Sequence, residues 1–129
     1  MVKVLTSLKK RDLLHNPEIK KNELSQYGND YYDKNKLADA LDFFQKAEDM
    51  DGVRRIMERS IEEGDPFLLQ QTRKILKETI SEEIWRKVGQ KALDEGRFNQ
   101  ALTAFRSIPD ENKIQEIEIL RKSREYNAK

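Results

Sequence analysis

Two stretches of this chain, LADALDFFQKA from Leu37 and FNQALTAFRSI from Phe98, share one skeleton: apolar, two residues, Ala-Leu, two further residues, Phe. They stand 61 positions apart (Ala40 and Ala101), and other pairs keep the same offset: Leu24 with Trp85, Gly28 with Gly89, Asn35 with Gly96, Leu37 with Phe98. A fixed offset over so many positions describes a repeated unit, not one asymmetric core. Apolar residues recur at three- and four-residue spacing throughout, and strand-like alternation does not recur, so the units are helical.

Gly28 and Gly89 fall inside the helical pattern, where each costs about 1 kcal/mol relative to Ala. Close approach of a second helix compensates. A glycine on the first helix and an alanine on the second (Ala40, Ala101) remove bulk where two antiparallel helices cross. The large residues on either side then interdigitate: Leu24, Tyr27, Tyr31 and Phe44 in one copy, Trp85, Val88, Phe98 and Phe105 in the other. Between the copies, Val53, Ile56, Met57 and Ser60 reproduce the inward stripe of Leu24, Tyr27, Gly28 and Tyr31, and Leu69, Thr72 and Leu76 take the places of Leu37, Ala40 and Phe44. This is a third, degenerate hairpin.

Asn16-Pro17, Gly52, Gly64-Asp65-Pro66, Gly96 and Pro109 punctuate the chain. Helices are expected over about 22–34, 36–48, 51–63, 66–78, 81–95, 97–107 and 110–125, with a short extra one between 3 and 14. Asp51, Asp65, Ser81 and Asp110 stand near helix starts, where a short side-chain oxygen accepts from unpaired backbone N–H groups. The expected fold is therefore all-α: a superhelical array of three antiparallel hairpins (about 21–49, 50–80 and 81–108), a capping helix at 110–125, a basic arm or short helix at 1–20 and a tail at 126–129. With 38% charged residues and 36% hydrophobic ones, the composition suits an elongated array with much surface.

Leu24-x2-Tyr27-Gly28-x2-Tyr31 with Ala40-x3-Phe44, and Trp85-x2-Val88-Gly89-x2-Ala92 with Ala101-x3-Phe105, resemble the tetratricopeptide repeat signature. The spacing departs from that family, whose 34-residue unit would shift the pattern by 68 over two units, and Met57 and Arg73 depart from it in the middle hairpin. The resemblance implies a non-catalytic interaction module whose first helices line a groove for a partner peptide or helix. Asn22, Ser25, Asn29, Tyr32, Arg54, Glu58, Arg86 and Gln90 occupy the groove positions. Some family members grip a terminal carboxylate there. Asn29 and Lys87 suit such a clamp, but Ser25 and Glu83 stand where lysines are required.

Catalysis has little to work with in this sequence. The single histidine, His15, has no identifiable nucleophile or orienting carboxylate beside it, and pairs such as Glu62-Glu63 and Glu82-Glu83 point about 100° apart on a helix. Phosphate-cradling glycine patterns and metal-ligand spacings are absent, so neither cofactor nor metal is expected. With no cysteine, no disulfide framework arises, and with no long apolar run the chain reads as cytoplasmic.

Residues 1–21 carry six basic side chains (Lys3, Lys9, Lys10, Arg11, Lys20, Lys21) against Asp12 and Glu18, the only feature that favours nucleic acid; no aromatic residue interleaves with them to stack bases. In the last helix Ile114, Ile117 and Leu120 form one stripe, with Ile119 to the side and Lys122, Arg124 and Glu125 opposite. That helix caps the array or docks on a second copy of the chain, making a homo-oligomer the alternative to a partner-binding module.

Overall fold

The computed structural model describes residues 7–128, with side chains from 9 to 125. Lys3 of the basic cluster and the side chains of the tail lie outside the described residues. Eight helices follow in order: α1 (Ser7–His15), α2 (Lys21–Asp33), α3 (Leu37–Lys46), α4 (Met50–Glu63), α5 (Pro66–Leu76), α6 (Glu82–Asp94), α7 (Phe98–Arg106) and α8 (Glu111–Ala128). Among the described residues there is no strand.

The helices pack in consecutive pairs, α2 along α3, α4 along α5 and α6 along α7. The pairs are joined twice over, because α2, α4 and α6 touch in series and so do α3, α5 and α7; α1 lies on α3, and α8 on α7. All of the substantial contacts link helices no more than two places apart in the chain.

The seams are built as the glycine and alanine pattern requires. Ala40 and Ala101 are fully buried, and a methyl group added at Gly28 would stand 2.6 Å from the ring of Phe44, one added at Gly89 2.7 Å from the ring of Phe105. Phe43, next to the repeated phenylalanine, is also fully buried and stacks on Tyr27 and Tyr31 with ring centroids 5.4 Å apart in each case. In the middle pair the bulk is exchanged between helices: Met57 replaces the glycine, and the half-buried Leu76 replaces the phenylalanine. Buried Ser60 and Thr72 donate to carbonyls of their own helices (Met57, and Leu68 with Leu69), so the polar seam leaves no hydroxyl unpaired.

Turn chemistry closes each pair. Asn35 and Gly96, related by the repeat offset, both hold left-handed φ of 59° and 74°. Gly64 ends α4 at φ 68°, a backbone conformation that disfavours a side chain, and Asp65 then caps α5 ahead of Pro66. Arg97 donates to the carbonyls of Glu63 and Gly64 at 3.0 and 2.9 Å, supplying the end of α4 with partners its own helix lacks.

Four expectations need correction. Gly52 does not punctuate: it lies buried in the first turn of α4, and a methyl group there would meet the ring of Phe44 even more closely than one at Gly28. The cap of α4 is accordingly Asp49, which accepts from the Gly52 N–H at 3.0 Å, and Asp51 sits inside the helix. No glycine or proline interrupts residues 121–128, so α8 continues into the expected tail as far as Ala128.

The stripe of α8 also differs. Ile117 is fully buried and Ile114 half-buried, but Leu120 and Ile119 are 44% and 67% exposed. The packed face runs instead through Ile117 to the half-buried Arg121, while the exposed Arg124 lies over Phe98 at 5.7 Å. A four-residue step from Ile117 keeps that face turned inward where a three-residue step turns outward.

The correspondence by 61 positions continues into α8. Asp110, like Asp49, caps its helix by accepting an N–H three residues on, at 3.1 Å, and Ile117 is buried like Ile56. Lys113 stands where α4 has Gly52, its ammonium 5.7 Å from the centre of Phe105. The last helix therefore covers the third pair as α4 covers the first.

Candidate functional site

Along α2, α4 and α6 the repeat places equivalent side chains in columns, and all eight groove positions lie on these three helices. Asn22, Arg54, Glu58, Arg86 and Gln90 are exposed, and Ser25, Asn29 and Tyr32 half-buried. None is buried. Two clefts lie elsewhere: one of about 600 Å³ is lined by His15, Pro17, Ile19 and Leu24, and another of about 510 Å³ lies between the start of α7 and α8.

Within the columns, the residues divide by what already occupies them. Arg54 forms a two-point ion pair with Glu78, and Arg86 donates to Asp110 at 2.6 Å. Both acids lie 24 residues after their arginine. This is a repeated strut from a first helix to the connection after its pair. The hydrogen bonds from Arg86, and then from the Lys113 backbone N–H, hold the Asp110 carboxyl below its ordinary range. Ser25, the equivalent residue of the first pair, is no cation, so the strut is confined to α4 and α6. Gln90 is satisfied within its own helix, donating to Asp94 at 2.8 Å.

Asn29 and Tyr32 are brought together with two residues that the sequence reading passed over. Arg55 donates to the Asn29 side-chain oxygen at 2.9 Å, and its guanidinium lies over the Tyr32 ring at 4.4 Å. Arg59, one turn further along α4, lies 5.4 Å from the same ring and donates to Asn35 at 2.5 Å and Glu63 at 2.8 Å. Their four-residue separation on one helix was the available signal. Arg59 is neutralised by Glu63, whereas Arg55 has no carboxylate partner among the described residues. Asn29, with its oxygen occupied, keeps its amide N–H groups as donors, and the exposed carboxylate of Glu58 supplies an acceptor in the same column. Such a surface can hold a polypeptide backbone and an acidic side chain together.

No known family, curated protein or solved structure matches this chain.

Two members of the basic N-terminal cluster are paired with acids of the first helix pair and its connection. Lys10 of α1 donates to Asp39 at 2.6 Å and Asp42 at 2.7 Å, both on α3, while Leu13 and Leu14 pack on the first core. Burial lowers the pKa of Lys10, but the two hydrogen bonds outweigh it and leave the ammonium held above its ordinary value. Lys21 pairs with Glu48 at 2.8 Å. His15 is exposed, with its ring nitrogen 2.8 Å from the Arg11 carbonyl. Among the described residues, no three or more metal-ligating side chains gather, and no helix is long and apolar enough to cross a membrane.

Proposed function

We propose that this chain is a tetratricopeptide-like array, non-catalytic and cytoplasmic, that holds a partner polypeptide against the face of α2, α4 and α6. The supporting observation is the cluster on that face: Tyr32 under Arg55, Asn29 beside it and Glu58 in the next helix, all accessible to solvent. An aromatic ring fixed beneath a cation without a carboxylate partner offers the aromatic-plus-arginine composition on which interfaces concentrate their binding energy. Arg54 and Arg86 belong to the scaffold, since each already closes a strut.

The test is capture and cross-linking of partners from lysate by the intact protein, by an Asn29→Ala, Tyr32→Ser double variant and by a Lys74→Ala control on α5. A partner lost by the double variant and kept by the control supports the reading. Equal recovery by all three sinks it.

Ile119 and Leu120, exposed on the outer side of α8, favour a second reading in which two copies associate through that helix. Light scattering across a concentration series separates the two, because self-association through α8 disappears in Leu120→Glu and is untouched by Tyr32→Ser.

A further inference from the structure

The cleft between the start of α7 and α8 gathers three arginines, Arg97, Arg121 and Arg124, around Phe98 and Asn99, with Glu125 at its rim. Arg97 is the most heavily engaged: its two Nη groups serve Glu63, Gly64, Glu95 and Gln100. The other two differ. Arg121 donates through Nη1 to the Asn99 side-chain oxygen at 2.9 Å, while its Nε is shielded from solvent and has no acceptor among the described residues. A buried guanidinium N–H left without an acceptor carries a desolvation cost that a ligand oxygen would remove.

Arg124 also lacks a carboxylate partner among the described residues and is exposed. Its guanidinium lies 5.7 Å from the centre of the Phe98 ring, and its Nη1 comes so close over Gly96 that a methyl group there would stand 2.6 Å away. Gly96 holds a left-handed turn at φ 74°, as its repeat equivalent Asn35 does at φ 59°, and the end of this side chain lies over it. The neighbouring Glu125 is exposed and pairs with neither arginine.

From these observations we infer that the notch between α7 and α8 is an oxyanion site, taking a carboxylate or phosphate group between Arg121 and Arg124. With Nη1 engaged by Asn99, the Nε–Nη2 edge of Arg121 is the fork that a carboxylate or phosphate meets with two parallel hydrogen bonds. Arg124, over the Phe98 ring, supplies the second positive charge. Asn99 sets the orientation of the fork. The cleft volume of about 510 Å³ admits more than a bare ion, so the anion arrives as part of a small molecule or of a side chain. This site shares no residue with the face proposed to hold a polypeptide, and neither reading depends on the other.

The experiment follows the Arg121 Nε–H resonance of the full chain by nitrogen-proton correlation spectroscopy while inorganic phosphate, phosphoserine or glutarate is added at constant ionic strength. A saturable shift of Arg121 and of the Asn99 side-chain amide is expected below about 10 mM ligand. The anion that saturates at the lowest concentration identifies the source of the oxyanion. Arg121→Lys keeps the charge and removes the fork, and with Asn99 as reporter it should weaken binding about tenfold. Arg124→Gln, with the fork intact, should weaken it as well, and Tyr32→Ser should not. Absence of a shift with all three anions, or equal affinity in the parent and Arg121→Lys with helicity preserved, overturns the inference.

Discussion

Phe44 and Phe105 occupy the same position in two copies of one unit, yet the second sides of their rings are covered by different chemistry. Phe44 lies between two glycines, Gly28 of its own pair and Gly52 of the next helix, and is fully buried. Phe105 has Gly89 on one side and the Lys113 ammonium on the other. An interior seam, sealed against a further helix pair, calls for a glycine that brings backbone onto the ring. At the third pair a single helix covers the seam, and a lysine lays its charged end over the ring while remaining in contact with water, its side chain 25% exposed. The repeat thus keeps its ring and varies what seals it.

The strongest test of this contrast is truncation of the rings. Phe44→Ala should cost about 3–5 kcal/mol, at or above the cost of Phe105→Ala, in urea denaturation of the intact chain. A clearly larger loss for Phe105→Ala would reverse the assignment of interior and terminal seams. Gly52→Ala should come next: the added methyl group overlaps the Phe44 ring, with a loss of about 1–3 kcal/mol despite the better helix propensity of alanine. Combining it with Phe44→Leu should recover part of that loss, and strict additivity of the pair would mean that the ring and the glycine do not meet. Lys113→Ala removes a cation from the face of a ring together with its ion pair to Glu116 and should cost about 0.5–1 kcal/mol.

The smallest effect is expected from Asp110, at the start of the helix that covers the terminal seam. Its carboxyl is held below the ordinary range in the folded chain, so its contribution is present at neutral pH, above the unfolded value, and is lost as pH falls through the folded one. Asp110→Asn should therefore flatten the acid side of a stability-against-pH curve while leaving its alkaline side parallel to the parent. An unchanged acid limb would show that the Arg86 strut contributes nothing in solution.

How much of this could be read in advance depended on whether a residue acts within its own pair or between pairs. Gly28, Gly89, Ala40 and Ala101 are legible because each meets its partner within its own hairpin, and the offset relates them directly. Gly52 was misassigned because its partner belongs to the preceding pair, and a glycine beside Asp49 and Asp51 also looks like a helix start. Leu120 reads as a packed residue in the sequence because three- and four-residue steps from Ile117 are equally helical, and only the position of α7 decides between them. On the candidate face, Asn29 and Tyr32 were found from the helix register of α2. Arg55 and Arg59 escaped because their contacts cross to another helix pair. The struts at Arg54 and Arg86 carried a readable signal, the same 24-residue interval to an acid in both copies.

Contacts confined to helices no more than two places apart have a kinetic consequence. Loops that must close before a contact forms are short, which belongs to the fast end of folding rates for a chain of this size. Stability also passes along such a chain as a series of neighbouring couplings, with no single closing event on which the whole depends. Under tension or dilute denaturant, release should therefore begin at an end and proceed pair by pair, with the middle pair, flanked on both sides, among the last to open.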